Sequence, residues 1–309
     1  MVNLRYMVNS QTLDVHGREV VLTNLLKPIW PEKDITKYDL IKYFLDMSPY
    51  ILPHLKNRPL VITRFPEGVH KEGFYQKDIK KAGNSPSWLK TITIPTKNKE
   101  RERQVIDYLV VDHPATLVWL GNLAAVELHP WLSSVESLDY PDFGVFDLDP
   151  MPQADFYQVK TLAFSIKKIL NQLEITGYPK LTGSSGLQIF VPFYPKYTYQ
   201  EIREFIHKVC LQVLDHHADI ATIERKVNQR PSHKVYLDYL QNAKGKTISA
   251  IYGPRANKGA HVSVPVNWEE LANIETSRQY DVLSVGARMK NTGDVFKTIL
   301  ENKQKLNFC

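Results

Sequence analysis

The sequence has few cysteines and no long apolar run. Its two cysteines, Cys210 inside a helical pattern and Cys309 at the last position, form neither a disulfide framework nor a zinc-site pattern. No stretch approaches the roughly 18 uninterrupted apolar residues of a membrane span, and the N-terminal residues lack the apolar core of a signal peptide. These absences argue against a secreted or a membrane protein, so we expect a cytoplasmic chain.

The excess of positive charge is small. The 309 residues carry a formal net charge of +6. Basic residues concentrate in 76–81 and 97–104, with Phe74, Tyr75 and Trp88 near them in sequence. This pattern is typical either of a solvated charged face or of a surface that binds an anionic partner such as nucleic acid.

Hydrophobic periodicity predicts a mixed α/β fold. Thr36 followed by Asp39 resembles a capping box that opens a helix, and Pro53 is expected to close it. Residues 115–128 are apolar on nearly all sides, which predicts a buried helix. The remaining patterns predict strands at 143–149, within 181–193, at 234–240 and at 246–253, and a final helix at 292–305.

Three aspartates interrupt apolar strand patterns. Asp147 and Asp149 stand two residues apart, so in a strand both carboxylates would lie on one face while Leu148 points into the core. A metal ion would offset their repulsion and lost hydration, although a turn that begins at Asp149 explains the pair as well. Asp238 interrupts a second strand pattern, and three carboxylates on neighbouring strands would suit two-metal phosphoryl transfer with Mg²⁺ or Mn²⁺.

A glycine-serine loop, LTGSSGLQIFVPF, occupies residues 181–193. Backbone N–H groups near Gly183 and Gly186, with the hydroxyls of Thr182 and Ser184, would suit a bound phosphate. The loop matches neither the P-loop nor the dinucleotide-binding fingerprint. A tight turn is therefore the alternative interpretation.

Several segments, in their order along the chain, resemble the polymerase domain of bacterial ligase D in the archaeo-eukaryotic primase superfamily. They are LTNLLKPIWPEKDITKYDL, LPHLKNRPLVITRFPEGVHKEGFYQKDI, VWLGNLAAVELHPW, FDLDP, the glycine loop and YLDYLQNAKGKTISAIYGPRANKGAHVSVPVNWEEL. The resemblance covers most of the chain. It implies an α/β (α+β) primase-polymerase fold, with two facing mixed or antiparallel β-sheets flanked by helices.

The resemblance also implies one primase-polymerase domain over 1–309. Within it we expect an N-terminal module with 5′-phosphate- and DNA-binding elements over 1–140, a catalytic palm over 141–265 and a C-terminal helical tail over 266–309. No segment resembles the adenylation motif of a ligase or a nuclease module. The chain is therefore expected to be a stand-alone polymerase or one domain of a larger repair ligase.

Roles for residues near the nucleotide follow from the resemblance. Asp147, Asp149 and Asp238 match the catalytic, metal-binding aspartates of the family. The implied nucleotide-binding residues are Thr182, Gly183, Ser184, Gln188, Arg255, His129 and Lys77. Without the resemblance, Arg255 would equally serve a surface ion pair and His129 would equally cap a helix end.

The resemblance extends to DNA contacts. Asn24, Lys27 and Lys37 match the residues that hold a 5′-phosphate on the far side of a gap or break. Tyr75 falls where the family stacks an aromatic ring against DNA. Solvated surface lysines and a partly buried core tyrosine are the alternatives.

Two positions depart from the loop of the family, which reads serine-glycine-x-x-glycine-leucine-histidine. Thr182 replaces the serine and Gln188 replaces the histidine. Glutamine donates a hydrogen bond but cannot become cationic, and the loss of a charge-assisted bond costs about 1.5–3 kcal/mol. We therefore expect weakened nucleotide binding without loss of catalysis, and we expect Gln188→His to lower the apparent Michaelis constant for nucleotide.

The implied function is DNA repair. A polymerase of this family is a nucleotidyltransferase that adds nucleotides, NTPs in preference to dNTPs, to 3′-hydroxyl ends at gaps or double-strand breaks in bacterial non-homologous end joining. The resemblance implies two Mn²⁺ or Mg²⁺ ions, nucleoside triphosphate substrates, a Ku-like end binder, a fused or separate DNA ligase and a cytoplasmic, nucleoid-associated location. A DNA-end-binding module of the same fold with weak or lost catalysis, and a primase that starts chains de novo, are the alternative functions.

Overall fold

The computed structural model describes residues 10–83, 85–96 and 104–306. Most of the basic segment 97–104 and Cys309 lie outside these residues. The described residues form a mixed α/β fold, as the periodicity predicts, with six α-helices. The helices are α1 (Lys37–Leu55), α2 (Pro114–Asn122), α3 (Phe156–Gln172), α4 (Tyr199–His216), α5 (Trp268–Asn273) and α6 (Val285–Thr292). None of them is long and apolar enough to cross a membrane.

The strands belong to two larger sheets and two ribbons. The first ten strands are β1 (Ser10–Val15), β2 (Arg18–Thr23), β3 (Pro28–Trp30), β4 (Ile35–Thr36), β5 (Pro59–Arg64), β6 (Phe74–Gln76), β7 (Lys90–Pro95), β8 (Val105–Val110), β9 (Ala125–Pro130) and β10 (Phe143–Pro150). The others are β11 (Tyr178–Leu181), β12 (Leu187–Pro192), β13 (Ala221–Thr222), β14 (Val235–Leu237) and β15 (Val264–Pro265). One sheet has the order β13-β14-β10-β12-β11-β15, and the other has the order β6-β5-β8-β7 with β9 also paired to β5.

The six-stranded sheet is covered on both faces. Phe146 and Leu148 of β10 share a core with the apolar sides of α3 and α4. Val145 faces the opposite way, into a core that also contains residues of the five-stranded sheet. Because successive residues of a strand alternate between faces, Asp147 and Asp149 share the face of Val145. This is the side on which the functional residues collect.

Helix α1 begins as the sequence predicts and ends later. The Thr36 backbone N–H donates to Asp39 Oδ2 at 2.8 Å, and the Asp39 N–H donates to the Thr36 hydroxyl, which completes the capping box. The helix continues past Pro53 to its last residue, Leu55, and also contains Pro49. Pro49 has no N–H for the Leu45 carbonyl, and the Ser48 hydroxyl donates to that carbonyl instead.

The predicted helix at 115–128 is correct only in its first part. Helix α2 ends at Asn122, Ala124 takes a positive φ of 54°, and the chain then forms β9. An apolar run does not distinguish a buried helix from a buried strand. Pairing with β5, which aligns Val61 with His129, decides in favour of the strand.

Three further predictions near the C-terminal end need correction. Segment 234–240 is a strand only over β14, and a 3-10 turn at Tyr239–Gln241 follows it. Segment 246–253 forms no regular strand, although its backbone extends β9 through single hydrogen bonds. The segment 292–305 contains only the last residue of α6 and a short 3-10 helix, Lys297–Leu300, instead of the expected helix.

Candidate active site

A cavity of about 240 Å³ lies on the polar face of the six-stranded sheet. Its lining combines carboxylates, hydroxyls, an amide and a guanidinium, with little apolar surface. Residues predicted from the sequence account for much of this lining: His129, Asp147, Asp149, Thr182, Ser184, Gln188 and Arg255. The fold therefore brings together side chains that are far apart along the chain.

The two carboxylates of β10 destabilise each other. Burial, followed by the charge of Asp149, raises the pKa of Asp147 well above its ordinary value. The side chain of Asp149 is exposed, but the protein around the cavity partly desolvates its carboxylate. This desolvation, followed by the charge of Asp238, raises the pKa of Asp149 to about 6. A cation bound between such groups would relieve the repulsion, and carboxylate oxygens are the ligands that Mg²⁺ and Mn²⁺ prefer. The donor chemistry therefore fits a divalent ion.

Asp238 lies beside this pair, and its side chain also caps a turn. Its backbone N–H donates to the Asp147 carbonyl at 2.8 Å. Its Oδ1 accepts from the Leu240 N–H at 3.0 Å and from the Tyr236 hydroxyl at 3.1 Å, so it caps the turn after β14. It lines a neighbouring cavity of about 1040 Å³. Among the residues that the structure describes, no three His, Cys, Asp or Glu side chains converge on one metal position.

The glycine loop joins β11 to β12, and both glycines are needed for steric reasons. Gly183 has φ +68°, and a Cβ there would lie 2.6 Å from the Val262 carbonyl oxygen. A Cβ on Gly186 would lie 2.3 Å from the Leu148 carbonyl oxygen. Any side chain at either position would therefore collide with a backbone carbonyl group, that of Val262 or that of Leu148.

The hydroxyl of Thr182 stabilises the loop from inside. It donates to the Gly186 carbonyl at 2.9 Å and accepts from the N–H groups of Ser184 and Gly186, both at 3.2 Å. Two of the loop amides that the sequence suggested for a phosphate are thus engaged within the loop. Ser184 lines the cavity, whereas Gly183 is not among the lining residues.

Gln188 lies beside Asp147 on the neighbouring strand. It is Asp147's partner in the β10–β12 register, and its Nε2 donates to Asp147 Oδ1 at 3.0 Å. The amide is almost completely buried. Its contact in the structure is therefore with a candidate metal ligand.

A carboxylate that the sequence did not single out connects two predicted residues. Glu127 Oε1 lies 3.1 Å from Arg255 Nε and accepts from the Ala256 N–H, while Oε2 lies 3.3 Å from His129 Nε2. Burial alone would raise the pKa of Glu127, but His129, Arg255 and the Ala256 amide together lower it to about 2. The spacing of two between Glu127 and His129 on β9 was the signal, because it puts both on one face.

Tyr75 and Lys77 lie at the rim of the cavity. The Tyr75 hydroxyl shares a 2.8 Å hydrogen bond with the hydroxyl of Thr247, a lining residue, and its ring centroid is 5.9 Å from that of His129. Lys77 Nζ lies 5.7 Å from the Tyr75 ring centroid. Tyr75 is 51% exposed, so it is not the core tyrosine of the alternative interpretation.

Asn24, Lys27 and Lys37 meet at the start of α1. The Lys27 N–H donates to the Asn24 carbonyl at 3.0 Å, and the Lys37 N–H donates to the Lys27 carbonyl at 2.9 Å. Lys37 is buried, and burial, then Lys27 and then Arg64, lower its pKa to about 8. Lys27 Nζ is 2.7 Å from Glu67 Oε1. Lys37 is therefore not an ordinary solvated lysine.

Two basic residues near the carboxylates were not predicted from the sequence. Arg230 lines the larger cavity, and its guanidinium lies 3.3 Å from the centre of the Tyr236 ring. Lys180, in β11, is completely buried beside Gln188. Its position in the strand YPKL was the available signal, because a lysine among apolar residues just before a glycine loop is costly to bury without a partner.

The fold is mixed α/β, and one polar cavity combines paired carboxylates, a glycine loop and an arginine. Together these features define a nucleotidyltransferase of the primase-polymerase type. The family described as LigD, primase-polymerase domain, matches residues 36–296, and this chain belongs to that family. Membership implies a nucleotide substrate and the use of divalent metal.

Relatives with curated descriptions are longer than this chain. The bifunctional non-homologous end joining protein LigD of Bacillus subtilis (strain 168) is 34% identical over 283 residues, which are 91% of this chain and 44% of that protein. The multifunctional non-homologous end joining protein LigD of Mycolicibacterium smegmatis is 29% identical over 258 residues, 83% of this chain and 33% of that protein. The chain thus spans less than half the length of these relatives.

One solved structure has the same fold. The polymerase domain from Mycobacterium tuberculosis ligase D, in complex with DNA, superposes with a TM-score of 0.82 at 24% sequence identity. The match covers 92% of this chain and 99% of that one. The primase-polymerase fold predicted from the sequence is thereby confirmed.

Proposed function

We propose that this chain adds nucleotides to 3′-hydroxyl ends at gaps or double-strand breaks of DNA in bacterial non-homologous end joining. The observation that carries the proposal is that one polar cavity contains Asp147 and Asp149 together with Ser184, Arg255 and His129. Carboxylates for metal ions and cationic or hydroxyl groups for a triphosphate are the two requirements of nucleotidyl transfer.

Asp147 and Asp149 are the proposed ligands of two Mn²⁺ or Mg²⁺ ions, with Asp238 joining them after its side chain leaves the Leu240 N–H. Bound divalent ions would lower the pKa of the primer hydroxyl and neutralise charge on the leaving group. The raised pKa of Asp149, about 6, supports this role. It means that the protein disfavours the ionised carboxylate, and a bound cation would stabilise that ionised form.

The remaining groups are proposed to bind and orient the triphosphate. Arg255 is oriented by Glu127, and its planar guanidinium suits a phosphate in two-point contact. Ser184, Gln188 and His129 are the other proposed contacts or supports, with Thr182 and Gly183 shaping the loop and Lys77 at the rim. In the reaction the 3′-oxygen forms a bond to the α-phosphorus, the bond to the β-phosphate oxygen breaks, pyrophosphate leaves and the hydroxyl proton passes to water.

The cluster of Asn24, Lys27 and Lys37 is the proposed site for a 5′-phosphate across the gap. Two lysines at one turn, with Arg64 close enough to lower the pKa of Lys37, create a positive potential that a dianionic phosphate would satisfy. The exposed ring of Tyr75 is the proposed stacking surface for a base.

Further parts of the proposal come from the family and its relatives. They comprise a preference for NTPs over dNTPs, a Ku-like end binder, a fused or separate ligase and a cytoplasmic, nucleoid-associated location. We also propose that residues 1–140 form the DNA- and 5′-phosphate-binding module, 141–265 the catalytic palm and 266–309 a C-terminal tail. The separation of the lysine cluster from the carboxylates along the chain supports this division.

Primer extension on gapped DNA with Mn²⁺ tests the proposal. Incorporation is expected to require the 5′-phosphate for full efficiency, to prefer NTPs, and to be abolished by Asp147→Ala or Asp238→Ala. Asp139→Ala, a change at an exposed aspartate paired with Lys244, is the matched control. Tight end binding without incorporation would instead establish an end-binding module, and products from an unprimed template would establish a primase.

A further inference from the structure

Strand pairing aligns an acid, an amide and a base across the six-stranded sheet. Asp147 of β10 pairs with Gln188 of β12, and Gln188 pairs with Lys180 of β11. Residues opposite each other in antiparallel strands present their side chains on the same face. The row therefore runs from a candidate metal ligand to a lysine that lies behind the cavity.

Lys180 donates three hydrogen bonds to neutral oxygens. Its Nζ lies 2.9 Å from the Ser249 carbonyl oxygen, 3.0 Å from Ser249 Oγ and 2.5 Å from Ser263 Oγ. The Ser263 hydroxyl gives its own proton to the Leu181 carbonyl at 3.0 Å, so it accepts from Nζ. A carbonyl also only accepts. Burial lowers the pKa of Lys180, yet the three contacts are best satisfied by three N–H donors, as in an ammonium group.

The polarity of the remaining bonds follows from the carboxylate. Asp147 as a metal ligand is a carboxylate and only accepts, so the Gln188 amide must present Nε2 to it, as it does at 3.0 Å. Oε1 then faces Ser249 Oγ at 3.4 Å and receives the serine proton. The serine oxygen in turn accepts from Lys180. Every donor in the chain Lys180–Ser249–Gln188–Asp147 points from the cation towards the anion, an arrangement in which the bonds reinforce one another.

We propose that Lys180 is a positioning residue for nucleotidyl transfer, acting through Ser249 and Gln188 to hold the Asp147 carboxylate. The proposal rests on the proposed function, because it assumes that Asp147 binds metal. If the Gln188 amide rotated by 180°, its oxygen would face the Asp147 carboxylate, so that two acceptors would meet. Its N–H₂ group would then face the Ser249 proton, so that two donors would meet, because Lys180 occupies the serine oxygen. The relay therefore excludes the wrong amide orientation and keeps one oxygen of Asp147 fixed.

Two serines of the network provide a matched pair of variants. Ser249 and Ser263 are both buried, and both accept a hydrogen bond from Lys180, but only Ser249 contacts Gln188. Ser249→Ala is expected to lower kcat for incorporation about tenfold and to weaken Mn²⁺ binding several-fold, with little change in KM for nucleotide. Ser263→Ala is expected to change each quantity less than about twofold. Equal effects of the two variants would overturn the proposal, because a merely structural role makes no distinction between them.

Mn²⁺ binding is measured on the full chain by the electron paramagnetic resonance of the free ion, which needs no turnover. Lys180→Met, which keeps the length of the side chain, is expected to match or exceed the effect of Ser249→Ala. In a Gln188→Met background, Ser249→Ala is expected to have no further effect on kcat, since the connection is already broken. Additive effects in this double-mutant cycle would contradict the relay. If Lys180→Met does not fold, the comparison of Ser249→Ala with Ser263→Ala and the double-mutant cycle still test the relay.

Asp147→Asn separates the two proposals. If this variant retains incorporation and Mn²⁺ binding, the proposed function of the cavity fails. If it abolishes both while Ser249→Ala behaves like the wild type, the relay fails and the proposed function stands.

Discussion

Lys37 and Lys180 are both buried lysines with a cation nearby, but only the pKa of Lys180 is also raised by a carboxylate, that of Asp147. Lys37 donates to the Asn122 carbonyl at 3.0 Å, and the charges of Lys27 and Arg64 lower its pKa. Lys180 donates to serine oxygens in a row that ends at Asp147. Burial lowers the pKa of both. Neighbouring cations lower both pKa values further, Arg255 for Lys180 and Lys27 with Arg64 for Lys37, so the connection to Asp147 is what distinguishes Lys180.

This difference indicates how each cation is used. A buried lysine among other cations costs free energy in the absence of an anion, so its site gains stability when a phosphate arrives. A buried lysine linked to a carboxylate completes an internal network and needs no ligand of its own. The first arrangement suits binding of DNA, and the second suits support of a catalytic group.

The largest effect expected at the lysine cluster is that of Lys37→Met. This change removes a charge-assisted hydrogen bond to phosphate, worth about 1.5–3 kcal/mol, and so lowers affinity for 5′-phosphorylated gapped DNA about tenfold or more. Fluorescence anisotropy with and without the 5′-phosphate measures it. Lys42→Met, a change at an exposed lysine of the same helix, is the control. A similar loss on DNA without the phosphate would show that Lys37 acts nonspecifically.

Arg255 is an intermediate case, a cation held by a carboxylate at the edge of the cavity. Glu127→Gln keeps the shape of the side chain but removes the charge that orients Arg255 and His129. We expect KM for nucleotide to rise about tenfold, equivalent to one lost charged contact, with a smaller change in kcat. Steady-state kinetics with varied NTP measures this split. An unchanged KM would show that Glu127 only supports the fold.

The pH dependence of phosphate binding should identify Lys37 directly. Its folded-state pKa is about 8, below the ordinary value of 10.5, so the cation is present below pH 8 and is lost as the pH rises above it. A phosphate monoester is already dianionic in this range, with its second pKa near about 6. Affinity gained from the 5′-phosphate is therefore expected to decline above about pH 8. Retention of the decline in Lys37→Met would assign it to another group.

The smallest expected effect concerns Glu67, which pairs with Lys27 at 2.7 Å on an open surface. Glu67→Gln removes a carboxylate that competes with phosphate for this lysine. Because exposed ion pairs contribute about 0–1 kcal/mol, we expect affinity for 5′-phosphorylated DNA to rise only about twofold, and less at high salt. Glu301→Gln serves as a remote control. A decrease in affinity would mean that Glu67 orients Lys27 for binding.

Local patterns predicted part of the site. The alternation in FGVFDLD correctly put Asp147 and Asp149 on one face, opposite the buried Leu148. The capping box at Thr36 was equally local, because its partners are three residues apart. The assignment of Asp238 to a strand was wrong, because β14 ends one residue earlier and the Asp238 carboxylate caps a turn. The strand ends at the 3-10 turn Tyr239–Gln241, although β10 continues as a possible partner through Asp147.

Gln188 marks the limit of reasoning from the sequence. Its departure from the family histidine was visible, and a phosphate contact was the natural interpretation. The structure directs its amide at Asp147, so the effect of Gln188→His on KM stays a prediction, now with an expected change in metal binding as well. The family motif indicated which position matters but not which neighbour it contacts.

The sequence by itself determined the fold class, the carboxylate pair and the need for small residues in the loop, because alternation, capping and steric freedom act within a few residues. Only the tertiary structure decided that Glu127 forms an ion pair with Arg255 and that Lys180 connects to Asp147 through Ser249 and Gln188. Those contacts join residues from different strands and loops. Strand order and register bring them within hydrogen-bond distance, and neither is encoded in any short segment.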